Sequence, residues 1–330
     1  MGFHGMIELP KKDLFMNNNW ILGSMFFLLI SPLHAQSPQE QHMEKWTLEV
    51  LPRAALTVLV DNKAGSDSVS GEWGAAFFLE TDDYRILFDT GGGRTLLENA
   101  RAMNVDLKKT DAVVISHEHQ DHTGGLESAL NACGAIDLFV HPIGFDTRYW
   151  KDGSGEAPHS LPLSRRQLKG RVRRLVETKA PTRICRGVMV TGQIPRVADF
   201  EDTGLREHAF LDQGLKTPDP VWDDQAVFFR VPEGLVILLG CGHAGLVNTL
   251  QYVSGLTGEN RIVAVIGGTH LISASPARIQ KTIEALKQAG VQKIMLSHCT
   301  GDQAFAELAR AFPGRCTWPA AGTRIRFGVQ

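Results

Sequence analysis

Three histidines and an aspartate fall within six consecutive residues: His117, His119, Asp121 and His122. They directly follow the apolar-centred stretch 111–116, which predicts a short buried strand. Imidazoles two positions apart on an extended segment point the same way and can hold one ion, which leaves Asp121 and His122 to face a second. Without a ligand, such a cluster would have to satisfy every ring nitrogen and an acid in the core. The run therefore predicts a dinuclear metal site at the end of a core strand.

The ligand types indicate which ions this site would hold. Imidazoles with a carboxylate suit borderline Lewis acids, so we expect two divalent ions, zinc first, with manganese or iron as alternatives. Asp121 is also the candidate catalytic residue, because a ligand that accepts a hydrogen bond can position or deprotonate a water. Two further predicted metal ligands, His243 and His298, follow the apolar stretches 235–240 and 293–297.

The hydrophobic pattern predicts a layered α/β domain. Strands are predicted at 54–60, 74–80, 84–89, 111–116, 136–141, 171–177, 187–191, 226–230, 235–240, 262–267 and 293–297. Helices are predicted at 95–103, 245–255, 276–289 and 302–311. Between about 143 and 220 the periodicity weakens and Gly, Pro and Arg accumulate, which predicts an insertion that serves as a cap.

Two motifs resemble the metallo-β-lactamase superfamily: the run from Ser116 to Gly125 and the preceding element Phe88-Asp89-Thr90-Gly91. The resemblance covers roughly residues 55–330. It implies a four-layer αβ/βα sandwich with an inserted cap and with metals at one edge between the sheets. Four later motifs, at 191–196, 240–248, 267–271 and 297–301, resemble the branch named for a dihydropterin-methyl ribofuranosylaminobenzene 5'-phosphate synthase.

The chain departs from the superfamily pattern at two places. Where the superfamily has a strand ending in Gly-Asp, whose carboxylate bridges the metals, this chain has Gly240-Cys241. Cys241 could ligate as a thiolate, or a hydroxide alone could bridge with His243 completing the first metal. The usual third histidine is replaced by the stretch 222–225, where Asp223 or Asp224 is either a ligand or an exposed loop acid.

Several further residues are candidates for supporting a ligand or touching substrate. Asp89 is placed to orient a ligand imidazole, and His270 follows two glycines that permit a close backbone approach. The full set is Asp89, Arg196, Asp224, Cys241 and His270. The remaining histidines, His141, His159 and His208, are interpreted as structural or surface residues, and Cys299 as a packing residue.

The predicted function is metal-dependent hydrolysis of a small anionic ester, phosphoester or lactone. The alternatives on the same scaffold are iron-dependent redox or sulfur chemistry and a metal-containing ligand-binding protein. The lysine of a phosphate loop and the elbow of a serine hydrolase are both missing from the sequence. The five cysteines have no CxxC spacing and give no disulfide framework or zinc-ribbon signal.

Charge and the N-terminal residues bear on partners and location. A net charge of -2 with balanced acids and bases does not suit a nucleic-acid binder, so we expect a small-molecule substrate. The arginines between 165 and 174 form either a solvated helix face or an anion-binding patch. An apolar run at 20–30, with lysines before it and Ala35 after it, predicts a signal peptide over 1–35, ahead of a domain over 36–330. Export to the periplasm or beyond, with cleavage of the signal peptide, would leave no membrane span. The alternatives are an uncleaved anchor and a misassigned start.

Overall fold

We analysed a computed structural model of the chain, which describes residues 46–152, 155–202 and 208–329. The signal peptide predicted over 1–35 lies outside these residues and stays a prediction, as does export. Among the described residues, no helix has both the length and the apolar character needed to cross a membrane.

Strands dominate the described residues. In chain order they are β1 (Arg53–Val60), β2 (Ala76–Glu80), β3 (Arg85–Phe88), β4 (Ala112–Val114), β5 (Asp137–Val140), β6 (Arg148–Asp152), β7 (Gly155–His159), β8 (Arg174–Glu177), β9 (Thr182–Cys185), β10 (Val188–Val190), β11 (Ala209–Phe210), β12 (Val227–Val231), β13 (Gly234–Leu239), β14 (Ile262–Gly267), β15 (Lys293–Leu296), β16 (Cys316–Thr317) and β17 (Arg324–Gly328). The helices are α1 (Leu96–Ala102), α2 (Gln120–Thr123), α3 (Leu126–Ala132), α4 (Arg165–Leu168), α5 (Leu246–Thr257), α6 (Pro276–Gln288) and α7 (Asp302–Ala311).

The strands build two mixed sheets of seven strands each. The first has the order β17-β1-β2-β3-β4-β5-β8, and its pairs are antiparallel up to β3 and parallel beyond it. The second has the order β16-β15-β14-β13-β12-β10-β9, parallel up to β13 and antiparallel beyond it. Each sheet therefore combines a parallel half, which suits helical crossovers, with an antiparallel half.

The alternation of side chains along the strands produces four layers. Along β13, Val236 and Leu238 belong to a core shared with the first sheet, whereas Leu235 and Ile237 pack with α5, α6 and α7. A third core lies between the other face of the first sheet and helices α1 and α3. The layers run helix, sheet, sheet, helix, which confirms the predicted four-layer sandwich.

The stretch 143–220 is divided between the main sheets and a separate small sheet. Strand β8 joins the first sheet, and β9 and β10 join the second. Strands β6, β7 and β11 form a three-stranded antiparallel sheet, which we call the cap sheet. All five cysteines lie in the described residues, and none is bonded to another.

Candidate metal centre

The predicted ligands come together where strands of both sheets end. The run 117–122 leaves β4 in the first sheet, and the pair Cys241 and His243 follows β13 in the second. His298 follows β15, which runs parallel to β13 with β14 between them. Parallel strands bring their carboxyl ends to one edge, so loops distant in sequence meet there.

One set of side chains, called here the His298 group, consists of Asp121, His122, Cys241 and His298, whose ligand atoms all lie within 4.8 Å of one another. His122 Nε2 lies 3.0 Å from Cys241 Sγ and 3.3 Å from His298 Nε2. Asp121 Oδ2 lies 3.2 Å from His298 Nε2. The group offers two imidazoles, a thiol and a carboxylate around one point, which is a donor set for a four-coordinate ion.

A second set, the His117 group, consists of His117, Cys241 and His243, also within 4.8 Å of one another. His119 adjoins it, with Nδ1 2.9 Å from His117 Nε2 and its ring 5.0 Å from that of His243. Cys241 belongs to both groups, so its sulfur would be available as a ligand to an ion held by either of them. The sequence left open whether Cys241 could reach the metals, and this geometry favours the thiolate alternative.

Three of these histidines present one ring nitrogen to the centre and the other to a supporting side chain. The pairs are His122 Nδ1 with Asp89 Oδ2 at 2.7 Å, His117 Nδ1 with Ser116 Oγ at 2.9 Å, and His298 Nδ1 with Asn62 Oδ1 at 2.9 Å. Metal-binding histidines characteristically use their second nitrogen in this way, because the contact fixes the tautomer and the ring orientation. The arrangement thus prepares the inward nitrogens to donate lone pairs. His119 Nε2 faces Glu118 Oε1 at 3.8 Å, which is beyond hydrogen-bond distance.

The electrostatics of the centre suit a cation. Burial and the neighbouring imidazoles lower the pKa of His117 well below its usual range, and burial lowers the pKa of His119 to about 3. Burial tends to raise the pKa of Asp121, but His122 and His298 outweigh burial and hold it below its usual range. Burial raises the pKa of the Cys241 thiol, a trend that metal coordination reverses. Imidazoles kept neutral, a carboxylate kept ionised and a thiol together form a donor set that fits a divalent metal.

Asp89 is held in a strained backbone conformation beneath this centre. Its φ is +61°, in the left-handed region that is uncommon for residues other than glycine. Its Oδ1 accepts the Ser116 backbone N–H at 2.7 Å, and its Oδ2 accepts the Ser116 hydroxyl at 2.7 Å. A Cβ on Gly240 would lie 2.1 Å from that hydroxyl oxygen, so only glycine lets β13 end against this pair.

The structure places three other candidates beside the ligand groups. His270 has a φ of +44° and its ring lies 4.4 Å from that of His243. Asp224 accepts the Ala244 backbone N–H at 2.7 Å, and burial raises its pKa to about 7. Arg196 donates to the carbonyl oxygens of His243 and Val221, at 3.1 and 2.9 Å, and so holds the loop that carries the candidate ligand His243.

The arginines between 165 and 174 are largely engaged with other side chains. Arg165 pairs with Glu177 and Arg171 with Glu127, while Arg173 and Arg174 both contact the buried carboxylate of Asp137. These ion pairs join surface segments to the first sheet and to α3, which favours the alternative of a solvated surface over an anion-binding patch.

Four supporting residues were missed by sequence reasoning: Asn62, Ser116, Glu118 and Arg148. A signal existed for the first two, because Ser116 lies just beyond β4 and Asn62 just beyond β1. Glu118 lies between two predicted ligands and is fully buried. Burial and the neighbouring Asp223 raise the pKa of Glu118 well above its usual range, and the Arg148 guanidinium acts in the opposite direction. Nothing in the stretch around Arg148 indicated burial.

Comparisons with known proteins agree with the fold and the family resemblance. A sequence profile of the metallo-β-lactamase superfamily matches residues 74–247. The chain is 33% identical over 259 residues to the 7,8-dihydropterin-6-methyl-4-(β-D-ribofuranosyl)-aminobenzene-5'-phosphate synthase of Methanocaldococcus jannaschii, covering 74% of this chain and 87% of the synthase. It is 29% identical to an uncharacterized protein of the same organism, over 77% of this chain and 94% of that protein.

Solved structures give the same result. A metal-dependent hydrolase of the β-lactamase superfamily superposes with a TM-score of 0.69 at 26% identity, covering 82% of this chain and 98% of that one. A metallo-β-lactamase fold protein from Bacillus subtilis, with a TM-score of 0.50 at 13% identity over 82% of this chain and 99% of that one, shares the fold. The chain belongs to the metallo-β-lactamase superfamily, whose members are metal-dependent, and the predicted likeness to the synthase branch is confirmed.

Proposed function

We propose that this chain is a hydrolase that uses two divalent metal ions to cleave a small carboxylic ester, phosphoester or lactone. The observation that carries the proposal is the pair of buried ligand groups that share Cys241, with supporting side chains behind their imidazoles. When bound, two such ions acidify a water and polarise the oxygen of the scissile group.

Asp121 is the residue of this centre best placed to handle a proton. Its side chain is 21% exposed, whereas His122 and His298 of the same group are fully buried. Its Oδ2 lies 3.2 Å from His298 Nε2, so one carboxylate oxygen faces the ligand group. We propose that Asp121 orients the attacking water and accepts its proton, since it alone in the His298 group reaches both solvent and the ligand atoms.

The rim of the centre supports a substrate with an apolar part beside the bond that is cleaved. The ring of Trp73 is 49% exposed and lies 5.0 Å from that of His298. Ile272, 51% exposed, donates its backbone N–H to the carbonyl of Cys299, the residue after His298. Exposed apolar side chains beside a polar site are typical of ligand contacts. The synthase relative is named for a 5'-phosphate compound, so phosphoesters should be among the first substrates tested.

Cys241 bears on the choice of metal. A thiolate is a soft ligand that suits zinc or iron better than manganese or magnesium. Zinc would support hydrolysis, whereas stoichiometric iron with a visible absorption band would favour the alternative of redox or sulfur chemistry. Metal analysis by mass spectrometry, read together with the absorption spectrum of the purified chain, separates the two.

The decisive experiment joins metal content to activity. We expect about two metal equivalents per chain and hydrolysis of chromogenic phosphoesters or lactones that is lost on chelation and restored by zinc. The His117→Ala/His119→Ala variant should lose both metal and activity, whereas His208→Ala, at an exposed position, should keep both. Hydrolysis that persists in the metal-depleted double variant would contradict the proposal.

A further inference from the structure

Arg148 is buried in a way that calls for an explanation. It lies on β6 of the cap sheet, is 2% exposed, and is the largest fully buried side chain among the described residues. Its guanidinium contacts three carboxylates: Glu118 Oε2 at 2.8 Å, Asp219 Oδ2 at 2.8 Å and Asp223 Oδ1 at 3.1 Å. One positive charge among three buried acids is a poor source of stability, because desolvation offsets much of the attraction.

Two of these acids connect Arg148 to the metal-binding run. Glu118 lies between His117 and His119, and its second oxygen, Oε1, faces His119 Nε2 at 3.8 Å and His159 Nδ1 at 3.6 Å, both beyond hydrogen-bond distance. The backbone N–H of Glu118 donates to Asp223 Oδ2 at 2.9 Å. Arg148 and Asp223 therefore hold both the side chain and the main chain of the residue that separates two ligands.

The same strand also places an aromatic side chain, that of Trp150, against the centre. Residues two apart on a strand share a face, so Arg148 and Trp150 point to the same side of β6. The ring of Trp150 lies 5.6 Å from that of His119, edge to face, and 6.0 Å from that of His159. The Trp150 contact with the His119 imidazole and the Arg148 ion cluster thus both come from β6.

We propose that Arg148 is a positioning residue for the metal centre, which fixes the His119 imidazole through the Glu118 carboxyl while β6 seats Trp150 against the same ring. The proposal rests on the proposed metal centre but not on the reaction it catalyses. Supporting partners of ligands change metal affinity by about 10- to 100-fold when they are altered. Because Glu118 supports His119 and not His122 or His298, the loss should fall on the ion of the His117 group alone.

The test measures zinc affinity by competition with a chromophoric chelator, which resolves two binding steps. Arg148→Lys keeps the charge but cannot span three carboxylates at fixed angles, and Glu118→Gln leaves one oxygen between two donors. Each should weaken one zinc step by about 10- to 100-fold and leave the other within about twofold. The double variant should lose no more zinc affinity than the single variant with the larger loss, because both substitutions break the same contact between Arg148 and Glu118.

Arg230→Lys is the matched control. Arg230 is a half-buried arginine of β12 that pairs with Glu259 at 3.0 Å, outside both ligand groups. It should keep both zinc affinities. If Arg148→Lys does not fold, Asp223→Asn replaces it in the test. Asp223 joins Arg148 to the Glu118 backbone, so its substitution should cause the same loss of zinc affinity at one step only.

Three outcomes would overturn the positioning role: unchanged zinc affinities in the folded variants, equal loss at both steps, or additive losses in the double variant. A wild-type chain that binds no metal would overturn this proposal together with the proposed function. A wild type that binds zinc but cleaves nothing would contradict only the hydrolase, and the zinc affinities would still decide the role of Arg148.

Discussion

Replacing Asp89 by asparagine should weaken metal binding without unfolding the chain. The Oδ1 atom of Asp89 accepts the Ser116 backbone N–H, while Oδ2 accepts from His122 Nδ1, each at 2.7 Å. Asparagine keeps one oxygen, which should remain on the backbone N–H, and so turns its NH₂ towards His122 and the Ser116 hydroxyl, which can rotate to accept from it. Asparagine also tolerates the left-handed backbone conformation at this position, so the substitution adds little strain.

The free-energy cost of the Asp89→Asn substitution depends on whether metal is bound. With metal at Nε2, His122 must carry its proton on Nδ1, where it would meet the new NH₂ donor. The loss of one hydrogen bond to a charged acceptor corresponds to roughly 1.5–3 kcal/mol, or about 10- to 100-fold in metal affinity. In the metal-free chain the ring can adopt the other tautomer and accept from the amide. We therefore expect the free energy of unfolding to change by less than about 1 kcal/mol in that state.

Zinc competition and urea unfolding of the metal-free chain check the two halves of this prediction. Asp137→Asn is the control, because Asp137 is a buried carboxylate bound by Arg173 and Arg174 rather than by a ligand. It should lower the free energy of unfolding and keep zinc affinity, the reverse of the Asp89 result. Wild-type zinc affinity in a folded Asp89→Asn variant would refute the idea that Asp89 sets the tautomer of His122.

Cys241→Ser should abolish the sulfur-to-metal charge-transfer band of the cobalt-substituted chain while Cys299→Ser retains it; a band that survives in both would exclude Cys241 as a ligand. Burial raises the pKa of Asp224 to about 7, so the free energy of unfolding of the metal-free chain should fall by at most about 4 kcal/mol as pH rises from about 4 to 7. Asp224→Asn should flatten this pH dependence, measured by urea unfolding. A pH dependence in the variant as steep as that of the wild type would contradict the prediction. Gly240→Ala should cost about 1–3 kcal/mol by pressing on Ser116, and an unchanged melting temperature would show that β13 shifts freely.

The parts of the fold that were predictable are those where one physical signal dominates. Strands such as β13 and β14 are apolar on both faces because each is covered by helices on one side and a sheet on the other. Their continuous apolar runs therefore stand out in the sequence. The ligand run was predictable for a related reason, since so many imidazoles within six residues have few structural explanations.

The cap sheet was not predictable in the same way. Its strand β6 carries Arg148, which is buried by ion pairs from three distant acids rather than by apolar packing. A charged residue of this kind has the sequence signature of an exposed one. Strand β11 has only two residues and pairs with β6 across a long separation in sequence, which leaves no local periodicity to detect.

The spacing of the ligands along the chain implies an order of assembly. The His298 group draws on residues 121–122, 241 and 298, which leave strands of both sheets. Within the described part of the chain no single hairpin or βα unit contains a complete group, so the metal-binding geometry exists only once the two sheets have packed through their common core. Any metal bound there stabilises the packed domain rather than a local turn, because the unfolded chain cannot bring these atoms together. Glycine at position 240 and the strained Asp89 lie at the contact between the two sheet edges, where close approach matters most for forming the centre.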